Sequence, residues 1–191
     1  MGLFLYKYNL FATYEDSGLG TFAHEIMHPL VERNLKDRPA WAIEGIPTFF
    51  EKFYGYWRGD ELTVRWGFQN PWRIKQLGPN LTRLDLQRIL AAPSAGESES
   101  EQRLVSIFLW EQGKFKEFLN FVKAGEKHGY ESYFEAAMGM PIGRVSPLWQ
   151  DYLNRIAARR SEILGLPLSN LLSNEAAFHE FAASYDISVG E

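Results

Sequence analysis

Two histidines and a glutamate lie within five consecutive residues of this sequence, His24-Glu25-Ile26-Met27-His28. On a helix, the pattern H-E-x-x-H places two imidazoles one turn apart on the same face, within reach of a single metal ion. Glu25 lies about 100° around the helix from His24, too far for a third ligand but close enough to hydrogen-bond a water at that ion. We therefore expect His24 and His28 to be metal ligands and Glu25 to be the general base.

A catalytic zinc ion takes three protein ligands and keeps a fourth position open, so a further carboxylate must approach His28. Glu44 is the candidate, because His28 precedes a polar turn by about eight residues and Glu44 follows it by about five. An antiparallel helix pair then brings both to a similar height. Glu32 and Glu51 compete for this role, although each is expected to lie too far along its helix. The adjacent Gly45 is expected to let the second helix approach the first.

Two helices must position these side chains. Apolar residues recur at helical spacing over residues 21–35, and a second helical pattern covers residues 40–56 after Pro39. Residues 3–14 are rich in Phe, Tyr and Leu and indicate an extended strand or hairpin edge, and the alternation over residues 61–67 predicts another strand. The sequence therefore predicts a small N-terminal sheet followed by two zinc-bearing helices.

The second half of the chain is predicted to be helical. Helical patterns cover residues 81–92, 102–112, 114–127, 130–138 and 147–164, and continue less regularly from residue 167. The acidic residues 95–101 indicate a surface loop or the solvated start of the next helix. The predicted fold class is α+β, mainly α, in a single domain over residues 1–191. Its zinc-site half covers residues 1–92 and its helical half residues 93–191.

Composition excludes several classes of protein. The 191 residues are 46% hydrophobic and 23% charged, which is ordinary for one globular domain. A net charge of −4 argues against a nucleic-acid partner, and no run approaches the roughly 18 apolar residues of a membrane span. The chain has no cysteine, so a metal must be held by His, Asp or Glu. No signal peptide is recognised and the cytosol is the default compartment, with a trimmed secreted or periplasmic precursor as the alternative. The oligomeric state is left open.

A longer stretch of sequence resembles a known group of enzymes. The H-E-x-x-H pattern, followed by Pro39-Ala40-Trp41-Ala42-Ile43-Glu44-Gly45-Ile46-Pro47-Thr48-Phe49-Phe50-Glu51, resembles the gluzincin metallopeptidases, the thermolysin-like and peptidase-MA-like enzymes. This resemblance implies a zincin-like fold and a zinc ion on His24, His28 and Glu44. It also implies peptide or protein substrates, with the zinc-bound water activated by Glu25. A peptide would bind along the strand at residues 3–14.

Two features depart from that pattern. Pro29 follows His28 directly, and a proline inside a helix removes a backbone hydrogen bond, so some distortion is expected there. Residues 97–103 contain no Tyr or His to stabilise an oxyanion, and Tyr130, Tyr133 and His128 are the substitutes, each favoured for a structural role. The alternatives to a peptidase are a catalytically inactive, zinc-stabilised binding module of the same fold and a helical interaction domain without metal. His128 and His179 lack a partner pattern and are expected to be plain polar residues.

Overall fold

The structure is a computed structural model that describes residues 3–5, 10–12, 18–35, 37–92, 98–125 and 130–185. Within these ranges the chain is mainly helical with two separate two-stranded antiparallel sheets, which confirms the α+β, mainly α class. The strands are β1 (Leu3–Leu5), β2 (Leu10–Ala12), β3 (Tyr54–Arg58) and β4 (Glu61–Arg65). The helices are α1 (Gly18–Asn34), α2 (Ala40–Phe50), α3 (Pro71–Leu77), α4 (Leu86–Leu90), α5 (Glu99–Glu111), α6 (Phe115–Ala124), α7 (Tyr130–Met138), α8 (Ile142–Ala158), α9 (Arg160–Leu164) and α10 (Glu175–Tyr185), with a 3-10 helix at Gly78–Arg83.

Helix α1 buries polar side chains together with Val31, while other apolar residues of its pattern face outward. His24, Glu25 and His28 are buried, whereas Phe22, Ile26 and Leu30, part of the pattern that predicted the helix, are 40%, 37% and 49% exposed. Pro29 deprives the carbonyl of Glu25 of its usual helical partner, yet the helix continues to Asn34. The predicted helix is thus confirmed and begins three residues earlier than the pattern suggested.

Helix α2 ends at Phe50, so the predicted helix over residues 40–56 is wrong beyond that point. Beyond Phe50 the chain becomes extended because β3 pairs with β4 across the turn at Gly59 and Asp60. Gly55 is required in this hairpin, since a Cβ there would collide with the carbonyl oxygen of Thr63 and lie 2.9 Å from Cγ1 of Val64. The strand predicted over residues 61–67 is confirmed as β4.

The first hairpin joins β1 to β2 in antiparallel register, with Phe4 opposite Phe11. This confirms the hairpin expected within residues 3–14 for the strands themselves. The remainder of that stretch, residues 6–9 and 13–14, lies outside the described residues.

The region between β4 and α5 differs most from the prediction. No element was predicted for residues 68–80, yet α3 begins there with Pro71 in its first turn and Asn70 as N-cap, whose side chain accepts a hydrogen bond from Trp72 N. The helix predicted over residues 81–92 is an α-helix only at Leu86–Leu90. Its N-cap is Asp85, which accepts from Arg88 N at 2.9 Å, rather than a residue at the start of the predicted pattern.

The C-terminal half is helical, as predicted, with shifted boundaries. The predicted helix over residues 147–164 begins earlier, at Ile142, and is divided at Arg159 into α8 and α9. The acidic residues Glu99 and Glu101 form the first turn of α5, while residues 95–97 lie outside the described part of the chain. Residues 126–127 of the predicted helix over residues 114–127 also lie outside it. In the tail, only Glu175–Tyr185 is helical among the residues described from 167 onward.

Helix α5 lies at the centre of the hydrophobic core and packs mainly on α2. Its residues Leu104, Val105, Ile107, Phe108 and Leu109 are at most 1% exposed. Aromatic rings fill much of the surrounding space, and Trp41 of α2 contacts Phe118 with ring centroids 4.9 Å apart. Within the described residues, no helix has both the length and the apolar character needed to span a membrane.

Candidate metal centre

Helices α1 and α2 bring three potential ligand atoms together. Nε2 of His24 and Nε2 of His28 are 3.1 Å apart. Oε2 of Glu44 lies 3.5 Å from the first nitrogen and 3.6 Å from the second. Within the described chain, this is the group of His, Asp and Glu side chains that could hold a metal ion.

The spacing of these three atoms matches a tetrahedral zinc site. Zinc–nitrogen and zinc–oxygen bonds of about 2.0–2.1 Å at tetrahedral angles separate neighbouring ligand atoms by about 3.3–3.4 Å. The observed separations of 3.1, 3.5 and 3.6 Å bracket that value. A cation is also favoured electrostatically, because three acceptor atoms converge here and a single proton can be shared by only two of them. The donor set and its geometry therefore fit zinc.

The electrostatics of the site favour the ligand forms of these groups. Burial lowers the pKa of His28, which keeps its imidazole neutral with a lone pair available. Burial alone would raise the pKa of Glu44, but the hydrogen bond with His24 and the positive charges of His28, His24 and Arg73 lower it overall. A lowered pKa favours the ionised carboxylate of Glu44, the form in which it can bind a divalent cation.

The other ring nitrogen of His24, Nδ1, departs from the usual arrangement of a metal-binding histidine. Its Nδ1 atom is buried and has no hydrogen-bond partner in the part of the chain that the structure describes. In metal sites this nitrogen usually donates to a carboxylate, a carbonyl or water, which fixes the orientation of the ring.

Glu25 lies beside the cluster but is not one of its ligands. Its side chain is buried and lines the same cleft as His24. Burial raises the pKa of Glu25, and the charges of Glu44 and Glu99 act in the same direction while His24 opposes them. A raised pKa brings a carboxylate closer to the value that suits a general base at neutral pH.

The two competing carboxylates are engaged elsewhere. Glu51 forms a bidentate pair with Arg73, with Nε–Oε2 and Nη2–Oε1 distances of 2.9 and 3.1 Å. Glu32 is exposed on α1, one turn beyond His28. The geometry therefore selects Glu44 over Glu51 and Glu32 as the partner of the two histidines.

The expected role of Gly45 is wrong. A Cβ on Gly45 would lie 2.9 Å from the carbonyl oxygen of Gln102 and 3.2 Å from Oγ of Ser106, both on α5. Gly45 therefore permits close packing of α2 on α5 rather than on α1. The tight contact of α1 is made at Gly20, where a Cβ would collide with the carbonyl oxygen of Glu51.

A cleft of about 810 Å³ opens on the side of the cluster where His24 and Glu25 lie. Its walls come from the first turn of α1, the end of α2, the start of α3, Glu99 and residues 168–171. The volume falls within the range of about 300–1,000 Å³ that is typical of ligand sites. Access to the predicted metal position is therefore from the side that carries the predicted base.

The wall at residues 168–171 is fixed by contacts that sequence patterns did not reveal. Lys52 Nζ donates to the carbonyl oxygens of Pro167 and Leu168, both at 2.9 Å, and burial lowers the pKa of Lys52 to about 8. Tyr54 donates its hydroxyl to the carbonyl of Pro167, and Leu172 N donates to the carbonyl of Gly55 at 2.8 Å. The lysine and the strand β3 thus hold this segment beside the cleft.

The remaining candidate residues do not join the cluster. Tyr133 is fully buried and donates its hydroxyl to Oδ2 of Asp37 at 2.7 Å, so its role is structural. His179 is on α10, exposed and 3.6 Å from Glu175. His128 lies outside the described residues, and for Tyr130 only the helical backbone is described. Among the described residues that line the cleft, none is a tyrosine.

Comparison of the chain with protein-family models, with curated proteins and with solved structures finds no match.

Proposed function

We propose that this protein is a zinc metallopeptidase of gluzincin type, a hydrolase that cleaves peptide bonds. The observation that supports the proposal is the triangle formed by the nitrogens of His24 and His28 and the carboxylate of Glu44. The H-E-x-x-H pattern contains the two histidines but not Glu44, which comes from a different helix. The distances from Glu44 to the two nitrogens are therefore an observation that this pattern does not itself contain. A zincin-like fold, with a zinc-site half over residues 1–92 and a helical half over residues 93–191, belongs to the same proposal.

Each residue has a distinct role in this mechanism. A zinc ion held by His24, His28 and Glu44 would activate a water and polarise the carbonyl of a peptide bond. Glu25 would accept the proton of the attacking water and return it to the leaving amine, a transfer for which its raised pKa is suited. The cleft beside Glu25 would hold the peptide and exclude bulk water from the reacting atoms.

One observation favours the alternative of an inactive, zinc-stabilised binding module. The polar side chains of the cleft wall are occupied, Lys52 by backbone carbonyls and Arg73 by Glu51 and Glu99. With no tyrosine among the described lining residues, an oxyanion-stabilising group is not assigned. Zinc binding without turnover would identify this alternative.

Substitution of the predicted base separates the two functions. The zinc-loaded chain is incubated with a quenched fluorescent peptide library, alongside the variants Glu25→Gln and Glu32→Gln. Glu32 is a matched control because it is on the same helix, on the exposed side. The proposal predicts that Glu25→Gln keeps its zinc and loses at least about a hundredfold in rate, the usual contribution of a general base. Glu32→Gln should keep both.

Full activity in Glu25→Gln would contradict the assigned mechanism. Stoichiometric zinc with no cleavage by the wild-type chain would support the binding module. Absence of zinc binding would support the third alternative, a helical interaction domain without metal.

A further inference from the structure

A buried arginine connects three elements around the cleft. The side chain of Arg73 is only 7% exposed, and it lies on α3 at the cleft wall. Its Nε and Nη2 atoms bind Glu51 at the end of α2, and its Nη1 atom lies 2.6 Å from Oε2 of Glu99 at the start of α5. The guanidinium is therefore shared between two carboxylates.

The two carboxylates differ in how firmly they are held. Glu51 is bidentate and its side chain is 13% exposed. Glu99 has one ion-pair contact with Arg73, and its side chain is 39% exposed. Glu99 is more than a third exposed, so water solvates its carboxylate once it leaves Arg73, whereas Nη1 of the buried Arg73 then needs another anion. Glu99 can therefore be exchanged for a second carboxylate more easily than Glu51.

The same cleft contains a second feature that attracts anions. The first turn of α1, from Gly18 to Thr21, lines the cleft together with Arg73. The N-terminus of a 17-residue helix carries partial positive charge, which favours a nearby carboxylate. The other cation in the wall, Lys52, donates its protons to backbone carbonyls of residues 167–169. Of the two cationic side chains among the described residues of the wall, Arg73 is thus the one with an exchangeable partner.

We propose that Arg73 binds a carboxylate of the peptide substrate, which replaces Glu99 on Nη1, so that Glu99 is a built-in competitor for the substrate. The inference rests on the proposed function for the identity of the ligand as a peptide. The carboxylate can be the C-terminus of a peptide or an acidic side chain, and both would form the same charge-assisted hydrogen bond.

Peptide binding to the metal-free chain tests this directly. After removal of metal with EDTA, NMR titration measures the affinity of acetyl-Ala-Leu with a free C-terminus against its C-terminal amide. It also compares acetyl-Ala-Asp-amide with acetyl-Ala-Asn-amide. The three proteins are the wild type, Glu99→Ala and Glu101→Ala. Glu101 is the matched control, since it is in the same turn of α5 but pairs with Arg88 outside the described cleft wall.

The inference predicts that at least one carboxylate peptide binds more tightly than its amide. It also predicts that Glu99→Ala tightens that binding roughly two- to fivefold, the equivalent of one exposed ion pair. Glu101→Ala should change it little, although it removes the same charge. The pair that responds identifies the C-terminus or the side chain as the source. A gain of affinity cannot result from misfolding.

Equal binding of carboxylates and amides, or a carboxylate preference that Glu99→Ala leaves unchanged, would overturn the inference. Because the assay measures binding without metal or turnover, a failure of the peptidase proposal would not affect its outcome.

Discussion

Substitution of Gly45 by alanine tests how the ligand-bearing helix α2 is held. An added Cβ would lie 2.9 Å from the carbonyl oxygen of Gln102, 3.2 Å from Oγ of Ser106 and 3.2 Å from Cε3 of Trp41. An ordinary contact needs at least 3.4 Å. The closest atom belongs to the backbone and cannot rotate away, so α2 and α5 must separate by about half an ångström.

Two effects of this substitution oppose each other. Overpacking of a close-packed interior costs about 1–3 kcal/mol. Replacement of glycine by alanine within a helix returns about 0.5–1 kcal/mol. The two ranges leave a net cost of about 0–2.5 kcal/mol, and the upper half applies because the closest atom belongs to the backbone. We therefore expect the free energy of unfolding of Gly45→Ala to fall by about 1–2.5 kcal/mol, which for a chain of this size lowers Tm by about 2–10 °C.

Thermal unfolding followed by circular dichroism measures this shift. Gly143→Ala is the control, because Gly143 is also in a helix, α8, and a Cβ there meets no atom within 4 Å. Its Tm should stay the same or rise. If Gly45→Ala melted at or above the wild-type temperature, the close contact of α2 with α5 at this point would be refuted.

Three further substitutions have defined outcomes. Arg73→Met leaves the largely buried carboxylate of Glu51 without its counter-ion and should cost about 3–5 kcal/mol in urea denaturation, whereas Glu99→Ala removes one charged hydrogen bond and should cost at most about 2 kcal/mol; equal costs would contradict the assigned difference. Asp85→Ala removes the N-cap of α4 and should cost about 0.5–2 kcal/mol by the same assay, with no change in peptide binding. The buried Lys52, whose pKa is about 8 when folded and 10.5 when unfolded, binds fewer protons in the native state between these values. Wild-type stability should therefore rise with pH from 8 to 10, relative to Lys52→Met, by at most about 1.4 kcal/mol per pH unit; parallel pH profiles of the two proteins would show that Lys52 titrates normally.

The sequence predicted the convergence of His24, His28 and Glu44 better than it predicted the elements around them. The spacing of His24 and His28 depends on local helix geometry, and the height of Glu44 follows from the length of the turn once the two helices pack antiparallel, so both could be read from the pattern. The choice among Glu44, Glu51 and Glu32 could be made only once the structure showed which side chains each carboxylate contacts. Glu51 is excluded because it pairs with Arg73, and Arg73 comes from α3, a helix that was not predicted from the sequence.

Long-range contacts account for most of the errors. The end of α2 is set by pairing of β3 with β4, and the apolar residues Phe22 and Ile26 predicted a helix correctly without marking its buried face. Segment 167–171 reaches the cleft through Lys52, which is more than a hundred residues away in sequence. Such contacts leave no periodic signal in the chain. An Asn-Pro pair at the start of α3 was a usable signal, because asparagine caps helices and proline suits their first turn.

Zinc titration of the EDTA-stripped chain, monitored with a competing chelator, is the most direct test of the central claim. We expect one zinc ion per chain, and a large loss of affinity in His24→Ala, His28→Ala and Glu44→Ala but not in Glu51→Ala. Failure of the wild-type chain to bind zinc, or undiminished binding after loss of Glu44, would contradict it.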